Sequence, residues 1–334
     1  MFEELKAISL FSGGLDSQLA VRLLQEQGIE VLGFNFVTPF FGGTQRIEAA
    51  ARQLGIELVN LDVTDDYIPG VLQNPVYGYG KNMNPCIDCH AFMFRTAGNL
   101  MQRYDASFLV TGEVLGQRPM SQNRSALNAV DKLSGYRGWI VRPLSAKLLP
   151  PTQPEERGWI DREKLLDIQG RGRTRQMELA EKYAIKDYPS PAGGCLLTDI
   201  SFSRRLKRVM EYQNSLQIHH LNILKLGRHF YLQDNKLLVV GRKQGENKRM
   251  EEDALPEDIL LKVAQRPGPL GLLRGAEATT QPDLIRQAAS IVARYSDAKN
   301  EPRTMVKYYH PGLEEQSQLL EVTPLSPEEI PPGV

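Results

Sequence analysis

Short apolar runs alternate with amphipathic stretches along the first part of the chain. Residues 5–11 form a brief apolar run, and residues 15–28 carry leucines at helical spacing. β-Branched and aromatic residues fill 30–37, a second amphipathic stretch covers 44–55, and 56–63 is the next apolar run. Strands that alternate with helices predict right-handed βαβ units and a buried parallel sheet. The predicted fold class is therefore α/β, with a doubly wound parallel sheet.

The pattern becomes less regular further along the chain. Residues 66–85 are rich in Tyr, Gly, Asn and Pro and predict a loop over the edge of the sheet. A helix is expected after His90, and further strands over 106–113 and 139–144. From about residue 215 short strands and turns predominate, which predicts a smaller, separate α+β domain.

Charge is unevenly distributed, although 40 Lys and Arg residues balance 40 Asp and Glu residues. Residues 201–250 contain eleven basic and three acidic residues, an excess of eight positive charges. A basic region on a neutral protein indicates a polyanionic partner. The arginines at 171, 173 and 175 lie outside this region and are each interpreted as part of a solvated helix face.

A glycine-rich hexapeptide, Ser12-Gly13-Gly14-Leu15-Asp16-Ser17, lies between the first predicted strand and the first predicted helix. Two glycines let the backbone pass close to a ligand, and the free N–H groups of a helix start bind anions. The hydroxyls of Ser12 and Ser17 lie beside them. Because Asp16 would repel a phosphate in such a cradle, the pattern implies a divalent cation, Mg²⁺, between the two.

This hexapeptide is neither a Walker A loop nor a dinucleotide-binding fingerprint. It resembles the PP-loop of the ATP pyrophosphatase superfamily, whose members cleave ATP between the α and β phosphates and adenylate a carbonyl oxygen. The resemblance implies ATP held by Ser12, Gly13, Gly14, Asp16 and Ser17. It also places adenine near Phe34 and Asn35, in the second predicted strand. The alternative that Phe34 is only a core side chain stays open, because periodicity does not separate the two.

The chain has three cysteines, Cys86, Cys89 and Cys195, an odd number that is unlike a secreted disulfide framework. Cys86 and Cys89 form a Cys-x-x-Cys pair. Cys195 follows a proline- and glycine-rich stretch over 189–194, which predicts a flexible turn instead of a buried structural position. We therefore expect these thiols to have a chemical role.

Several further motifs occur in a fixed order. Cys-x-x-Cys-His-x-Phe-Met-Phe-Arg from Cys86, Leu-Val-Thr-Gly-Glu-x-Leu-Gly-Gln over 109–117 and Arg-Pro-Leu over 142–144 resemble the catalytic domain of the tRNA 4-thiouridine synthetases. Asn84-Pro85 before a cysteine at 89 is similar to the bacterial tRNA 2-thiouridylases. The match covers about residues 6–200. It implies that Thr111, Gly112 and Gln117 lie at the nucleotide.

These resemblances imply an ATP-dependent tRNA sulfurtransferase. ATP would adenylate a carbonyl oxygen of a uridine, with Asp16 and Mg²⁺ at the leaving pyrophosphate, and sulfur would displace AMP. The 4-thiouridine product is favoured, and 2-thiouridine is the alternative. The expected partners are tRNA and a sulfur donor, which is sulfide or a persulfide carrier.

Two forms of the sulfur step stay open. Cys89 and Cys195 could act as a persulfide carrier and a resolving thiol, as the 2-thiouridylases suggest. Alternatively Cys86, Cys89 and Cys195 could ligate three irons of a [4Fe–4S] cluster and leave the fourth iron open for sulfide, as in the iron–sulfur branch of the tRNA thiolases. The cluster is favoured. Zinc ranks lower, since His90 is the only neighbouring fourth ligand.

The 4-thiouridine synthetases carry an RNA-binding module ahead of the PP-loop, and this sequence starts directly with the first predicted strand, so RNA binding is expected elsewhere. Gly227-Arg228-His229-Phe230-Tyr231, Val240-Gly241-Arg242 and Glu246-Asn247 are similar to the RNA-binding domain of NFACT-type proteins. The predicted domains are therefore residues 1–200 for ATP binding and thiolation and residues 201–322 for RNA binding. The proline-rich, acidic residues 323–334 are expected to be a frayed tail.

No apolar run is long enough for a transmembrane helix, and the start of the chain lacks the basic region of a signal peptide. We therefore expect a cytoplasmic protein with no membrane partner. Two rival functions remain. A PP-loop amide synthetase acting on a small carboxylate would explain the hexapeptide alone, and a non-catalytic RNA-binding protein would explain the basic region alone.

Overall fold

The computed structural model describes residues 5–189, 194–212, 216–275 and 281–334. The chain divides into two compact units, Met1–Ile200 and Ser201–Val334. Most of the turn predicted before Cys195, residues 190–193, lies outside the described residues.

The first unit is built on a five-stranded parallel sheet with the strand order β3-β2-β1-β4-β5. Its strands are β1 (Lys6–Leu10), β2 (Glu30–Val37), β3 (Leu58–Asp62), β4 (Phe108–Thr111) and β5 (Ile140–Val141). Its helices are α1 (Leu15–Gln25), α2 (Gln45–Leu54), α3 (Thr64–Tyr67), α4 (Cys86–Leu100), α5 (Arg124–Ser134), α6 (Gln153–Glu156) and α7 (Thr174–Lys182). This architecture confirms the predicted α/β fold class.

Apolar side chains cover both faces of this sheet. Ala7 of β1 packs into a core cluster with Ala20 of α1 and Ala50 of α2. Because side chains alternate along a strand, Ile8 points to the opposite face, where α4 contacts β1 and β4. The prediction of a parallel sheet that is buried on both faces is therefore confirmed.

The strand order determines where a ligand can bind. The chain moves outward from β1 to β2 and β3, and then returns to place β4 on the other side of β1. In open parallel sheets the crevice beyond the carboxyl ends of the strands at such a reversal binds ligands. The hexapeptide follows β1 and the Thr-Gly-Glu turn follows β4, so both lie at this reversal.

Two local predictions are wrong. Residues 66–85 are not a loop throughout, because α3 is followed by a π-helical turn over Ile68–Leu72 whose apolar side chains are largely buried. The intervening Pro and Gly residues mask this periodicity in the sequence. Helix α4 also starts at Cys86 instead of after His90, with Pro85 as its N-cap residue. Cys86 and Cys89 therefore share the first turn of a helix.

The second unit contains a six-stranded antiparallel sheet with the strand order β11-β10-β8-β9-β7-β6. Its strands are β6 (Arg228–Tyr231), β7 (Leu237–Val240), β8 (Ile259–Val263), β9 (Gly271–Arg274), β10 (Thr304–Tyr309) and β11 (Gln318–Val322). Its helices are α8 (Ile200–Tyr212), α9 (Ile218–Ile223), α10 (Gln244–Glu252) and α11 (Pro282–Arg294). The predicted separate α+β fold is confirmed.

Residues 323–334 are not frayed, contrary to the prediction. The Leu325 N–H donates to the Ser290 carbonyl at 3.3 Å, and the Val334 N–H donates to the His229 carbonyl at 3.1 Å. Leu325 and Ile330 also pack against the core of the second unit. Burial of these two apolar side chains contributes to ordering this proline-rich stretch.

In the part of the chain that the structure describes, every helix is too short or too polar to cross a lipid bilayer.

Candidate active site

The hexapeptide forms a tight turn into α1. Gly13 adopts a φ of +67°, and a Cβ on this residue would lie 3.1 Å from the Ile47 Cα, so glycine is required for both reasons. The Ser17 hydroxyl donates to the Gly14 carbonyl at 2.8 Å, and the Ser12 hydroxyl lies 3.4 Å from that of Ser17. The turn thus places both hydroxyls beside the first N–H groups of α1, which have no partners within the helix. This arrangement can bind an anion.

The Asp16 side chain lies half-buried beside this turn, and its Oδ1 is fully buried. Its Oδ2 accepts a hydrogen bond from Gln117 Nε2 at 2.9 Å. Its Oδ1 has no hydrogen-bond partner within the described residues. Burial raises the pKa of Asp16, because the carboxylate has lost water without full compensation. A buried, unpaired carboxylate oxygen facing an anion site fits a ligand of Mg²⁺, so these residues fit the implied cation.

The turn after β4 approaches the hexapeptide closely. A Cβ on Gly112 would lie 2.5 Å from the Asp16 carbonyl carbon and from the Ser17 nitrogen, so only glycine permits this packing. Thr111 precedes it, and its Oγ1 accepts a hydrogen bond from the Glu113 N–H at 3.3 Å. The structure therefore brings the Thr111–Gly112 turn to the loop after β1. Contact of either residue with ATP stays a prediction.

Sequence reasoning missed two residues beside Asp16, Arg173 and Gln176. Arg118 and Arg173 are close enough for their positive charges to oppose the rise in the pKa of Asp16. Gln176 is fully buried next to Asp16, and its amide has no hydrogen-bond partner of normal geometry in the described segments. Arg173 is half-buried and its Nε is fully buried, so the interpretation of Arg173 as a solvated side chain is wrong. The alternation of Gly170, Arg171, Gly172 and Arg173 was the available signal, since glycines let a basic segment approach an anion site.

The predicted adenine residues lie in β2. Phe34 is 1% exposed, and its ring packs edge-on against Tyr104 with the centroids 5.2 Å apart. This burial favours the alternative in which Phe34 is a core residue. Asn35 is also buried and donates from Nδ2 to Asn60 Oδ1 at 2.7 Å. A role of either residue in holding adenine stays a prediction.

The three cysteines come together from two separate segments. The Leu196 N–H, next to Cys195, donates to the Phe40 carbonyl at 3.0 Å. The centroids of the Phe40 and Tyr67 rings are 6.1 Å apart, and the hydroxyl of Tyr67 lies beside Cys89. Cys86 and Cys195 both lie near enough for their thiolates to raise the pKa of Cys89. The fold therefore brings the three thiols into one neighbourhood, and their convergence on a single cluster stays a prediction.

The surroundings of the thiols disfavour free thiolates. Burial, followed by the neighbouring cysteines, raises the pKa of Cys89 strongly. Burial also raises the pKa of Cys195 to about 11, although Arg118 acts in the opposite direction. Cys86 accepts a hydrogen bond from Asn84 Nδ2 at 3.1 Å. Cys89 is buried, and Cys86 and Cys195 are half-buried. A bound cationic group would stabilise the thiolate forms of Cys89 and Cys195.

Whether this donor set holds an iron–sulfur cluster stays a prediction, and the comparison with a single metal ion concerns only the arrangement of the ligands. No three His, Cys, Asp or Glu side chains in the described segments are placed to bind one metal ion together. The thiolates of a [4Fe–4S] cluster each bind a different iron, so they need not meet at one point. Cys86, Cys89 and Cys195 supply three such thiolates.

Next to the cysteines, a buried ionic network joins three of the sequence motifs. Glu113 Oε1 lies 2.6 Å from His90 Nδ1, and Glu113 Oε2 accepts from Arg142 Nε at 3.0 Å. Arg142 also donates to Asp131 Oδ1 at 2.8 Å. Burial alone would raise the pKa of Glu113, but Arg142 and His90 outweigh it and lower the pKa to about 2. The network links α4, which carries Cys86 and Cys89, to β4 and to the Arg-Pro-Leu segment.

This network makes the first unit sensitive to acid. Since the pKa of Glu113 is about 2 in the folded chain and about 4.3 in an unfolded one, its stabilisation is complete above about pH 4.3 and disappears as the pH falls to about 2. We expect Glu113→Gln to lower the free energy of unfolding at pH 7 by about 3–5 kcal/mol, because the buried charge of Arg142 then has only Asp131 as a partner. The same substitution should make the stability depend less on pH in acid.

Urea unfolding followed by tryptophan fluorescence measures this effect, because Trp139 and Trp159 both lie in the first unit. Asp167→Asn is the matched control, since Asp167 forms an exposed pair with Arg175 and is expected to change stability by at most about 1 kcal/mol. An unchanged acid profile for Glu113→Gln would show that the network does not stabilise the unit.

The two units are similar to different families of known proteins. Residues 5–133 match the family described as the tRNA methyl transferase HUP domain, and residues 227–332 match the NFACT protein RNA binding domain. The tRNA-specific 2-thiouridylase MnmA 1 of Fusobacterium nucleatum is 34% identical over 104 residues, 30% of this chain and 28% of that protein. The "Probable tRNA sulfurtransferase" of Ureaplasma parvum is 29% identical over 147 residues, 42% of this chain and 37% of that protein.

Among solved structures, a 4-thiouridine synthetase in complex with RNA and ATP is similar with a TM-score of 0.39 and 22% identity, over 55% of this chain and 43% of the other. The chain spans about a third of the length of the curated relatives it matches. The resemblances identified in the sequence are confirmed for both parts: the chain joins a HUP-type domain similar to that of the tRNA thiouridylases to a domain similar to the NFACT RNA-binding domain.

Proposed function

We propose that this chain is an ATP-dependent tRNA sulfurtransferase. The single observation that carries the proposal is that residues 113–117 join the two groups: Gln117 Nε2 donates to Asp16 Oδ2 at 2.9 Å, and Glu113 lies 2.6 Å from His90, the neighbour of Cys89. The anion-binding turn and the cysteine group therefore face one region of the first unit. An enzyme that activates an oxygen with ATP and then replaces it with sulfur needs both groups within reach of the same uridine.

The chemistry has two displacements. A carbonyl oxygen of the uridine attacks the α-phosphorus of ATP, an O–P bond forms, and pyrophosphate leaves. Ser12, Ser17 and the start of α1 bind the pyrophosphate, and Arg118 and Arg173 contribute positive charge. Mg²⁺, held by Asp16, would neutralise charge on the leaving group. Sulfide sulfur then attacks the ring carbon, the C–O bond breaks, and AMP leaves.

For the sulfur step we propose the iron–sulfur form. Cys86, Cys89 and Cys195 would hold a [4Fe–4S] cluster, which would supply an open iron for a sulfide ion. Support comes from the raised pKa of Cys89 and of Cys195, because a persulfide route requires one of these thiols to ionise without such a group. The sulfur donor is then sulfide.

We further propose tRNA as the substrate and oxygen 4 of uridine as the position. Support comes from the three motifs that resemble the 4-thiouridine synthetases, which meet in the fold because His90 and Arg142 both contact Glu113. The basic second unit provides positive charge for the RNA backbone. Action in the cytoplasm stays a prediction from the sequence.

The test is turnover of the full chain with ATP, sulfide and bulk tRNA. We expect tRNA-stimulated release of pyrophosphate and AMP, with 4-thiouridine in the digested tRNA by mass spectrometry. A 2-thiouridine product would contradict the choice of oxygen 4 alone. Pyrophosphate release that tRNA does not stimulate would favour an amide synthetase, and no release would favour a non-catalytic RNA-binding protein.

A further inference from the structure

A cavity of about 580 Å³ lies in the second unit, where the edge strand β6, the end of α11 and residues 327–334 meet. Arg205, Arg228 and Arg294 are among its lining residues. Cavities that hold small ligands have volumes of about 300–1,000 Å³. The space is therefore large enough for one nucleotide.

The cavity carries a positive charge. None of its lining residues is Asp or Glu. In the described part of the chain, Arg228 and Arg294 form no ion pair with an acidic side chain. Arg205 has a structural role, because its guanidinium donates to the carbonyl oxygens of Leu224 and Gly227 and to an oxygen of Val334. The charges of Arg228 and Arg294 are thus available to a phosphate.

Flat groups line the same space. The guanidinium of Arg228 lies over the Tyr295 ring, 4.7 Å from its centroid. Tyr295 in turn stacks on Phe230, with the centroids 5.9 Å apart and an angle of 28° between the rings. Arg228 is exposed, so its planar guanidinium is accessible. Nucleobases stack on guanidinium planes and aromatic rings of this kind.

A second group of the same type lies on neighbouring elements. Arg208 of α8 lies over the rings of Tyr212 and Tyr231, at 4.7 and 5.1 Å. Tyr231 belongs to β6, as does Arg228. Residues 228 and 231 are three apart in β6, so their side chains leave opposite faces of the sheet, and this second group is separate from the cavity. The choice of an RNA strand over a free nucleotide rests on the similarity of residues 227–332 to the NFACT protein RNA binding domain.

We propose that this cavity binds one nucleotide of a single-stranded RNA segment, with the base stacked on the Arg228–Tyr295 pair and the phosphate bound by Arg294. The proposal rests on the proposed function, which makes tRNA the RNA that is bound. It assigns the capture of an unpaired tRNA segment to the second unit.

The experiment measures binding of the full chain to a fluorescent single-stranded RNA of about eight nucleotides, a typical site size, over a range of salt concentrations. Arg228→Ala should lower affinity about 5- to 100-fold, as for loss of one stacked base. Arg294→Ala should make the salt dependence shallower by about 0.7 in log–log slope, as for one phosphate contact. Arg228→Lys keeps the charge but not the planar group, so it should keep the wild-type salt slope and still lose affinity as Arg228→Ala does.

Arg303→Ala is the matched control, because Arg303 is outside the cavity and pairs with Glu321. Binding by Arg228→Ala and Arg294→Ala equal to that of Arg303→Ala would overturn the proposal. Competition by uridine monophosphate as strong as that by the RNA would also overturn it, in favour of a site for free nucleotides. The two proposals can fail separately. If the wild-type chain makes no thiouridine but the variants still lose RNA binding, the proposed function is refuted and this site is supported.

Discussion

Replacing Asp16 with alanine will abolish tRNA-stimulated pyrophosphate release while leaving the first unit folded. Asp16 lies in the first turn of α1, and one of its carboxylate oxygens has no partner in the described structure. Burial raises the pKa of Asp16, which means that the ionised carboxylate is less stable in the folded chain without a cation than it is in water. Removing this side chain should therefore not unfold the unit. We expect at least a 10²–10³-fold loss of turnover, about the effect of removing one preorganised electrostatic group from an active site.

Single-turnover release of pyrophosphate, measured over a range of Mg²⁺ concentrations, checks this result. Asp16→Asn keeps the hydrogen bond to Gln117 possible but lacks the charge, so it should fail equally if the role is to bind the cation. Asp65→Ala is the matched control, because Asp65 is an exposed carboxylate in the same unit. Wild-type pyrophosphate release by Asp16→Ala would refute the PP-loop assignment.

Cys→Ser at position 86, 89 or 195 will each remove bound iron and thiolation together if the three thiols hold one cluster. Thiolates about 2.3 Å from their irons must then converge to within about 7 Å. Protein prepared without oxygen should be brown and contain about four irons and four sulfides per chain. Each serine variant should be colourless, because the chain has only three cysteines and each substitution leaves two thiolates to hold the cluster.

Iron content, acid-labile sulfide and visible absorption measure the cluster independently of activity. Asn84→Ala serves as a control, since it removes a hydrogen bond to Cys86 but no thiolate, and it should retain iron. Under the persulfide alternative only Cys89 and Cys195 are needed, and Cys86→Ser should be mild. Iron-free protein in which Cys86→Ser still thiolates tRNA would refute the cluster and support the persulfide route.

Local patterns in the sequence were sufficient for the first sheet and its main turn. The alternation of apolar runs and amphipathic stretches specifies β1 to β3 with α1 and α2, because each element buries its own apolar face. Gly13 is required by its positive φ, which a sequence motif can report. The same reasoning fails over residues 64–72, where buried helical turns contain Pro and Gly.

The tertiary structure alone decided how the site is assembled. Gln117 meets Asp16 across 101 residues of sequence, and Arg173 and Gln176 lie beside the same carboxylate. Cys195 comes near Cys89 because its backbone neighbour binds the segment at Phe40. A periodic pattern records only which face of an element is apolar, whereas these contacts depend on strand order and on close backbone packing. Sequence by itself therefore determined the elements and the chemistry available, and the fold determined which of those groups meet.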